Sequence, residues 1–197
     1  MSIGSLISKK GTRALGIAES YSGRDQSVLC GISMRKDSNI DGVRFAPVSV
    51  GGSDATDAVI SLVEDFERND INIILLGGCI ISWFNIIDPG RVTGSTGIPV
   101  ICVTYEDSDG LIPDIIHHFP GDGDRLSLYE GLGERILVHL KTGKTIYIRP
   151  FGIPGYHAAV LCDQFTRDGR IPEPIRVARL AARGFMRYVR GSRPAFP

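Results

Sequence analysis

The spacing of apolar residues along the chain changes character part-way, and the change divides the molecule. Before residue 50 the apolar positions come in short blocks separated by turn residues, the pattern of strands in a meander. Arg13 to Glu19 reads as a strand that runs into the turn chemistry of Ser20-Tyr21-Ser22-Gly23. Ser27 to Arg35 is a second strand, and Val43 to Val50 a third, with a turn at Asp41-Gly42 just before it. Three short strands in succession predict an antiparallel meander.

Beyond Val50 the period lengthens. Ala58, Val59, Leu62, Val63 and Phe66 fall at helical spacing in the segment Asp54 to Phe66. Ile71 to Leu76 is continuously apolar, as suits an interior strand covered on both faces, and Ile98 to Thr104 is another such strand. The polar, Gly-rich stretch Asn85 to Gly97 between them is a connection with room for a short helix. Leu111 to Phe119 and Leu126 to Leu140 read as helices, Thr145 to Arg149 as a strand, and Ala158 to Phe165 and Ile175 to Val189 as closing helices. The order predicts an α/β fold: one domain over residues 1–197, a mixed central sheet flanked by helices, and a loose tail after about Gly191.

Composition narrows the picture only a little. The 197 residues carry 22 Lys and Arg against 22 Asp and Glu, which excludes a globally basic nucleic-acid binder but not a locally basic one. Cys30, Cys79, Cys102 and Cys162 lie in or beside apolar runs and far apart in sequence, so they read as buried free thiols in a reducing cytoplasm rather than as a zinc site or redox pair. No signal peptide is apparent, and the apolar stretch Ile71 to Phe84 is too broken to span a membrane. Nothing here excludes a homo-oligomer.

Several features can carry chemistry, each with an ordinary structural reading beside it. Glu19 ends the first strand beside a turn, where a carboxylate can face a crevice above the sheet and help to hold a hard divalent ion; otherwise it is a surface glutamate. Asp54 opens a helix, as an N-cap or, if Ser53 caps instead, as a free carboxylate. Gly51-Gly52-Ser53 before it can cradle a phosphate or simply turn the chain. Gly77-Gly78 permits close backbone approach, by ligand or by packing. Trp83-Phe84 can stack on a base or sit in the core, and Asp88 precedes the turn residues Pro89-Gly90. Glu106, Asp107 and Asp109 follow a buried strand, as ligands or as a solvated loop. His117, His118, His139 and His157 lack metal-ligand spacing. Arg176, Arg179, Arg183, Arg187 and Arg190 recur every three or four residues, extended by Arg170 and Arg193, and form a stripe suited to phosphates or to intramolecular acids.

Taken together, Gly16-Ile-Ala-Glu-Ser-Tyr21, Gly52-Ser-Asp-Ala-Thr56, the stretch from Gly77-Gly78 through Phe84-Asn85 to Asp88, and Arg170 to Ala182 (RIPEPIRVARLAA) resemble the archaeal endonuclease dU family, a relative of endonuclease V. The resemblance implies an RNase H-like, endonuclease V-like fold. It also implies a divalent-metal-dependent endonuclease of DNA repair that acts on DNA containing deaminated bases, deoxyuridine first, with magnesium or manganese as cofactor. In that reading Glu19 and Asp54 are catalytic and ligate the metal, with Asp88 or Glu106 as a third ligand and Asp107 a further candidate. Gly51, Gly52, Gly77 and Gly78 approach the damaged nucleotide, and Arg176, Arg179, Arg183 and Arg187 hold the backbone.

The match to endonuclease V is incomplete. Its first-strand aspartate falls at or beside Ala18-Glu19, its helix-opening glutamate near Asp54, and the aspartate ending its buried strand at Gly77. Its later lysine falls at about Tyr105, and its late histidine near Ile153 rather than at His157. The rival expectations are a nucleic-acid-binding module that kept the fold and lost a complete metal site, and a small-molecule enzyme or sensor using the same crevice.

Overall fold

The computed structural model describes residues 3–21 and 27–191, with side chains from Leu6 onward. The turn residues Ser22-Gly23, Arg193 and the tail after Gly191 lie outside them. The chain opens with a short helix, α1 (Ile3–Ser8), and the meander follows: β1 (Arg13–Tyr21), β2 (Ser27–Arg35) and β3 (Ile40–Val48), each pair antiparallel. Helix α2 (Ala55–Glu64) then crosses to β4 (Ile73–Leu76), which pairs parallel with β1. A two-stranded hairpin, β5 (Ile80–Ile81) and β6 (Asn85–Ile86), leads into α3 (Pro89–Thr96) and on to β7 (Val100–Thr104), parallel to β4. Helices α4 (Ile112–His118) and α5 (Gly123–Gly131), strands β8 (Ile136–His139) and β9 (Thr145–Phe151), and helices α6 (Gly155–Phe165) and α7 (Glu173–Gly191) complete the order. The main sheet runs β3-β2-β1-β4-β7-β9-β8. The predicted meander and the two interior strands are therefore present.

The apolar runs at 73–76 and 100–103 are buried because both faces of the sheet are covered. Alternate residues of each strand belong to opposite cores. Ala14, Ala18, Ile73, Leu75, Ile101 and Val103 pack with α6 and α7, while Leu15, Ile17, Ile74, Leu76 and Val100 pack with α2 and α3. Helix α7 lies so close to β1 that a side-chain carbon at Gly16 would stand 2.2 Å from the carbonyl carbon of Pro174. Only glycine permits that approach. No helix among the described residues is long and apolar enough to cross a membrane.

Two readings of the sequence are corrected. Leu126 to Leu140 is not one helix: α5 ends at Gly131, Gly133 adopts φ +68°, and Ile136–His139 pairs antiparallel with β9. Two glycines three residues from the next apolar run end the helix, because glycine adopts the left-handed conformation that stops it at little cost. Nor are all four cysteines free. Cys79 and Cys102 form a disulfide, with Cα atoms 6.0 Å apart, because Cys102 stands in register with Leu76 on the neighbouring strand and the Gly77-Gly78 turn brings Cys79 back over it. Cys30 and Cys162 are free and buried, and burial pushes both thiols up to about 12, so they are inert.

Candidate active site

Glu19 faces the α2 side of the sheet, two residues beyond Ile17. Its Oε1 accepts from Ser27 Oγ on β2 at 2.9 Å, and from the backbone N and Oγ of Ser82 at 3.1 and 2.7 Å. Ser82 Oγ and Ser27 Oγ lie 2.7 Å apart, which closes a small polar cluster over the buried end of the strand.

Asp54 stands at the N-cap position of α2, yet its side chain makes no cap bond. It turns toward the end of β3. Asp54 Oδ2 accepts from Ser49 Oγ at 2.8 Å and Ser49 N at 3.1 Å, and Oδ1 accepts from Asn85 Nδ2 at 2.6 Å. Asn85, fully buried, performs the cap from a distance, its Oδ1 accepting from Ala55 N at 3.1 Å. Burial alone would raise the Asp54 carboxyl. The bonds from Asn85 and Ser49 outweigh it and hold the group ionised below the usual carboxylate value.

The two carboxylates are held by one loop, in which Ser82 bonds Glu19 and Asn85 bonds Asp54. Ser27, bonded to Glu19, lines the same cavity of about 510 Å³ as Ser49 and Asp54, closed on its other side by Phe185, Met186 and Val189 of α7. Ser82, also bonded to Glu19, gives its carbonyl to Gly51 N at 2.7 Å. Gly52 is required by space here. A side-chain carbon on it would lie 2.7 Å from Ser49 Cβ and 3.0 Å from Asp54 Oδ1. The amides of Gly51 and Gly52 already donate, to Ser82 O and Ser49 O, so they do not form the phosphate cradle that the sequence suggested.

The loop from Ser82 to Phe84 is unusual in its backbone. Ser82, Trp83 and Phe84 have φ of +42°, +60° and +59°, three consecutive non-glycine residues in the left-handed region. Such strain persists only where the surroundings impose it. Here Arg125 imposes it from α5. Its Nη1 donates to Phe84 O and, at 3.1 Å, to Gly52 O; its Nη2 donates to Gly51 O at 3.2 Å; and its guanidinium lies 3.9 Å above the Phe119 ring. Trp83 is left half-exposed against His118, with ring centroids 4.9 Å apart.

The remaining acids lie elsewhere. Asp88 caps α3, accepting from Arg91 N at 3.0 Å, a helix-capping role its Pro-Gly sequel disguises as a turn. Glu106 pairs with Arg170, and Asp107 with Arg135 at 3.0 Å, at the mouth of a separate cleft beyond β7. The arginine stripe is split. Arg176 pairs with Glu173 at 2.5 Å, Arg179 lies over Tyr105 in that cleft, and Arg183 and Arg187 are exposed.

The family model for endonuclease dU matches residues 10–186. The chain belongs to the endonuclease dU family. A UPF0215 protein from Pyrobaculum calidifontis is 37% identical over 180 residues, covering 89% of this chain and 97% of that one. Among solved structures, a protein of unknown function from Archaeoglobus fulgidus superposes with a TM-score of 0.77 at 28% identity, over 88% of this chain and 98% of that one. Endonuclease V from Ciona intestinalis, solved with a 24mer DNA containing an inosine followed by a ribo-adenosine, superposes with a TM-score of 0.61 at 16% identity, over 91% and 88% of the two chains. The fold is thus the RNase H-like fold of endonuclease V.

Against that frame this member of the endonuclease dU family lacks the expected donors. A side chain at Gly77 would point at Ile175 Cγ2, 3.0 Å away, with Ala18 Cβ at 3.7 Å. Ala18, one of the two residues the resemblance offers for the first-strand aspartate, and Gly77, where it puts the second, are therefore neighbours under α7, and Glu19 points to the opposite face of the sheet. Among the described residues no three His, Cys, Asp or Glu side chains gather where one ion could bind them. The donor set does not fit an endonuclease V-type metal site, and no step is derived through one. Sequence reasoning singled out Glu19 and Asp54 but missed Ser27, Ser49, Ser82 and Arg125. The positive-φ run had no signal, since Ser-Trp-Phe carries no glycine.

Proposed function

We propose that this protein is a cytoplasmic endonuclease of DNA repair that cuts DNA at deaminated bases, with deoxyuridine the preferred lesion. The observation that carries the reading is the pair of hydrogen-bonded carboxylates Glu19 and Asp54, held by the loop from Ser82 to Asn85, on a chain of the endonuclease dU family. Glu19, oriented by Ser27 and Ser82, is positioned to accept the proton of an attacking water. Asp54 stays ionised beside it, and the half-exposed Trp83 on its fixed loop supplies a face for an unstacked base.

The test is nicking of duplexes containing one deoxyuridine or one deoxyinosine, against an undamaged duplex, with magnesium or manganese and then EDTA. The expected result is nicking beside deoxyuridine that Glu19→Ala lowers at least about a hundredfold. No nicking of any duplex, or equal nicking by wild type and Glu19→Ala, refutes the enzymatic reading.

One observation favours a second reading. The apolar packing of Ala18, Gly77 and Ile175 is what a nucleic-acid-binding module would keep after losing its metal site. That reading predicts salt-sensitive DNA binding, indifferent to EDTA and without nicking.

A further inference from the structure

A cleft of about 900 Å³ opens beyond the C-terminal ends of β4 and β7, on the far side of the Gly77-Gly78 turn from the crevice of Asp54. Its acids all lie in water. Four arginines and four acids line it, but the acids are exposed at the mouth. Asp107 and Glu106 each keep 78% of their side-chain surface in water, while their partners Arg135 and Arg170 keep 17% and 41%.

Arg149 and Arg179, by contrast, form no ion pair among the described residues. Arg149, half-buried on β9, donates Nε to Gly133 O at 2.8 Å, and the charged group set against it is Arg135. Burial first, and that second guanidinium after it, hold Arg149 below the ordinary arginine value. Arg179 reaches across from α7 and lies 5.4 Å from the centre of the Tyr105 ring; burial pushes Tyr105 up to about 12, while the Arg179 charge favours the ionised phenol. Tyr105 OH and Thr104 Oγ1 are buried in the cleft wall, and among the described residues neither has a hydrogen-bond partner.

Unspent hydroxyls and crowded arginines inside a cleft are costly without an anion, because each buried polar group left unpaired forfeits its bond to water. A tetrahedral oxyanion answers both needs, accepting from hydroxyls and from the guanidinium fork. The geometry points to this cleft as a phosphate-binding site, held by Arg149, Arg179, Thr104 and Tyr105, for the phosphate of a nucleotide or of a nucleic-acid strand. The inference does not rest on strand cutting, since binding is measured without it.

The experiment is calorimetric titration at fixed ionic strength with inorganic phosphate, deoxyuridine monophosphate and a short undamaged single-stranded deoxyoligonucleotide. Wild type is compared with Arg179→Gln, Arg149→Gln, Tyr105→Phe and the exposed control Lys144→Gln. Binding by wild type should weaken about tenfold in each cleft variant, the loss of one charge-assisted or buried hydrogen bond, and hold in the control. Tyr105→Phe removes an unpaired hydroxyl, so it folds at least as stably as wild type and separates recognition from misfolding. Free phosphate and the monophosphate losing affinity assigns a mononucleotide, and the oligonucleotide alone losing it assigns the strand; both support the site. Absence of binding by wild type to all three ligands, or equal binding by wild type, Arg179→Gln and Tyr105→Phe, overturns it.

Discussion

Arg125→Ala isolates the device that shapes the crevice. Three consecutive left-handed residues cost about 1–2 kcal/mol each, so the loop from Ser82 to Phe84 stores roughly 3–6 kcal/mol that its surroundings must offset. Arg125 ties Phe84 O of that loop to the carbonyls of Gly51 and Gly52 and to the Phe119 ring, with only 9% of its side chain exposed. Each charge-assisted bond contributes about 1.5–3 kcal/mol in such a setting. Their sum exceeds what one substitution ordinarily removes, because the loop relaxes once it is released. The expected global loss is therefore about 3–4 kcal/mol in urea unfolding, near the upper end for single substitutions.

The local consequence is sharper. Release of the loop frees Ser82 N from Glu19, so amide hydrogen exchange at residues 82–85 should quicken far more than at β4 beside it. Arg125→Lys keeps the charge but not the planar fork that reaches Gly51, Gly52 and Phe84 together, and should recover less than half of the loss. A stability change below about 1 kcal/mol with unaltered exchange at 82–85 would show that the loop holds its own conformation and would refute the reasoning.

Three further outcomes follow from the same geometry. Gly52→Ala forces Ser49 and Asp54 apart, so it should abolish nicking in the duplex assay while a melting curve shows a folded protein; unchanged nicking would count against Asp54. Reduction, or the double change Cys79→Ser with Cys102→Ser, should lower stability by about 3 kcal/mol for a link spanning 23 residues, read from unfolding with and without reductant. Asp41, shared by Arg13, Ser33 and Arg68, has burial working to raise its carboxyl and those partners overriding it; Asp70, bonded first to Arg68, is likewise lowered. Both folded values lie below the unfolded one. The stability they add is thus complete above about pH 4 and is lost as pH falls through the folded values; Arg13→Gln should flatten that acid limb in a pH series of urea midpoints.

What was legible in the sequence was whatever repeats. The runs at 73–76 and 100–103 announced interior strands because both faces are covered, and Arg176 to Arg190 announced a stripe because a helix repeats every 3.6 residues. Glu19 and Asp54 could be named because strand ends and helix starts mark crevices in sheets with parallel strands. Their companions could not. Ser27 and Ser82 are 55 residues apart, and what joins them to Glu19 is a hairpin of two-residue strands, too short for any period to show. The disulfide crosses parallel neighbours, a pairing that strand order alone reveals. The same limit explains the metal site. The resemblance put the first-strand aspartate at or beside Ala18-Glu19, but a shift of one residue in a strand reverses the face, and only the packing of Gly77 against Ile175 and Ala18 shows which face carries the carboxylate. On the proposed reading the chemistry lies on the α2 side of the first strand, where Glu19 has serines for company, and nicking by wild type that Glu19→Ala removes separates that reading from a module that only binds.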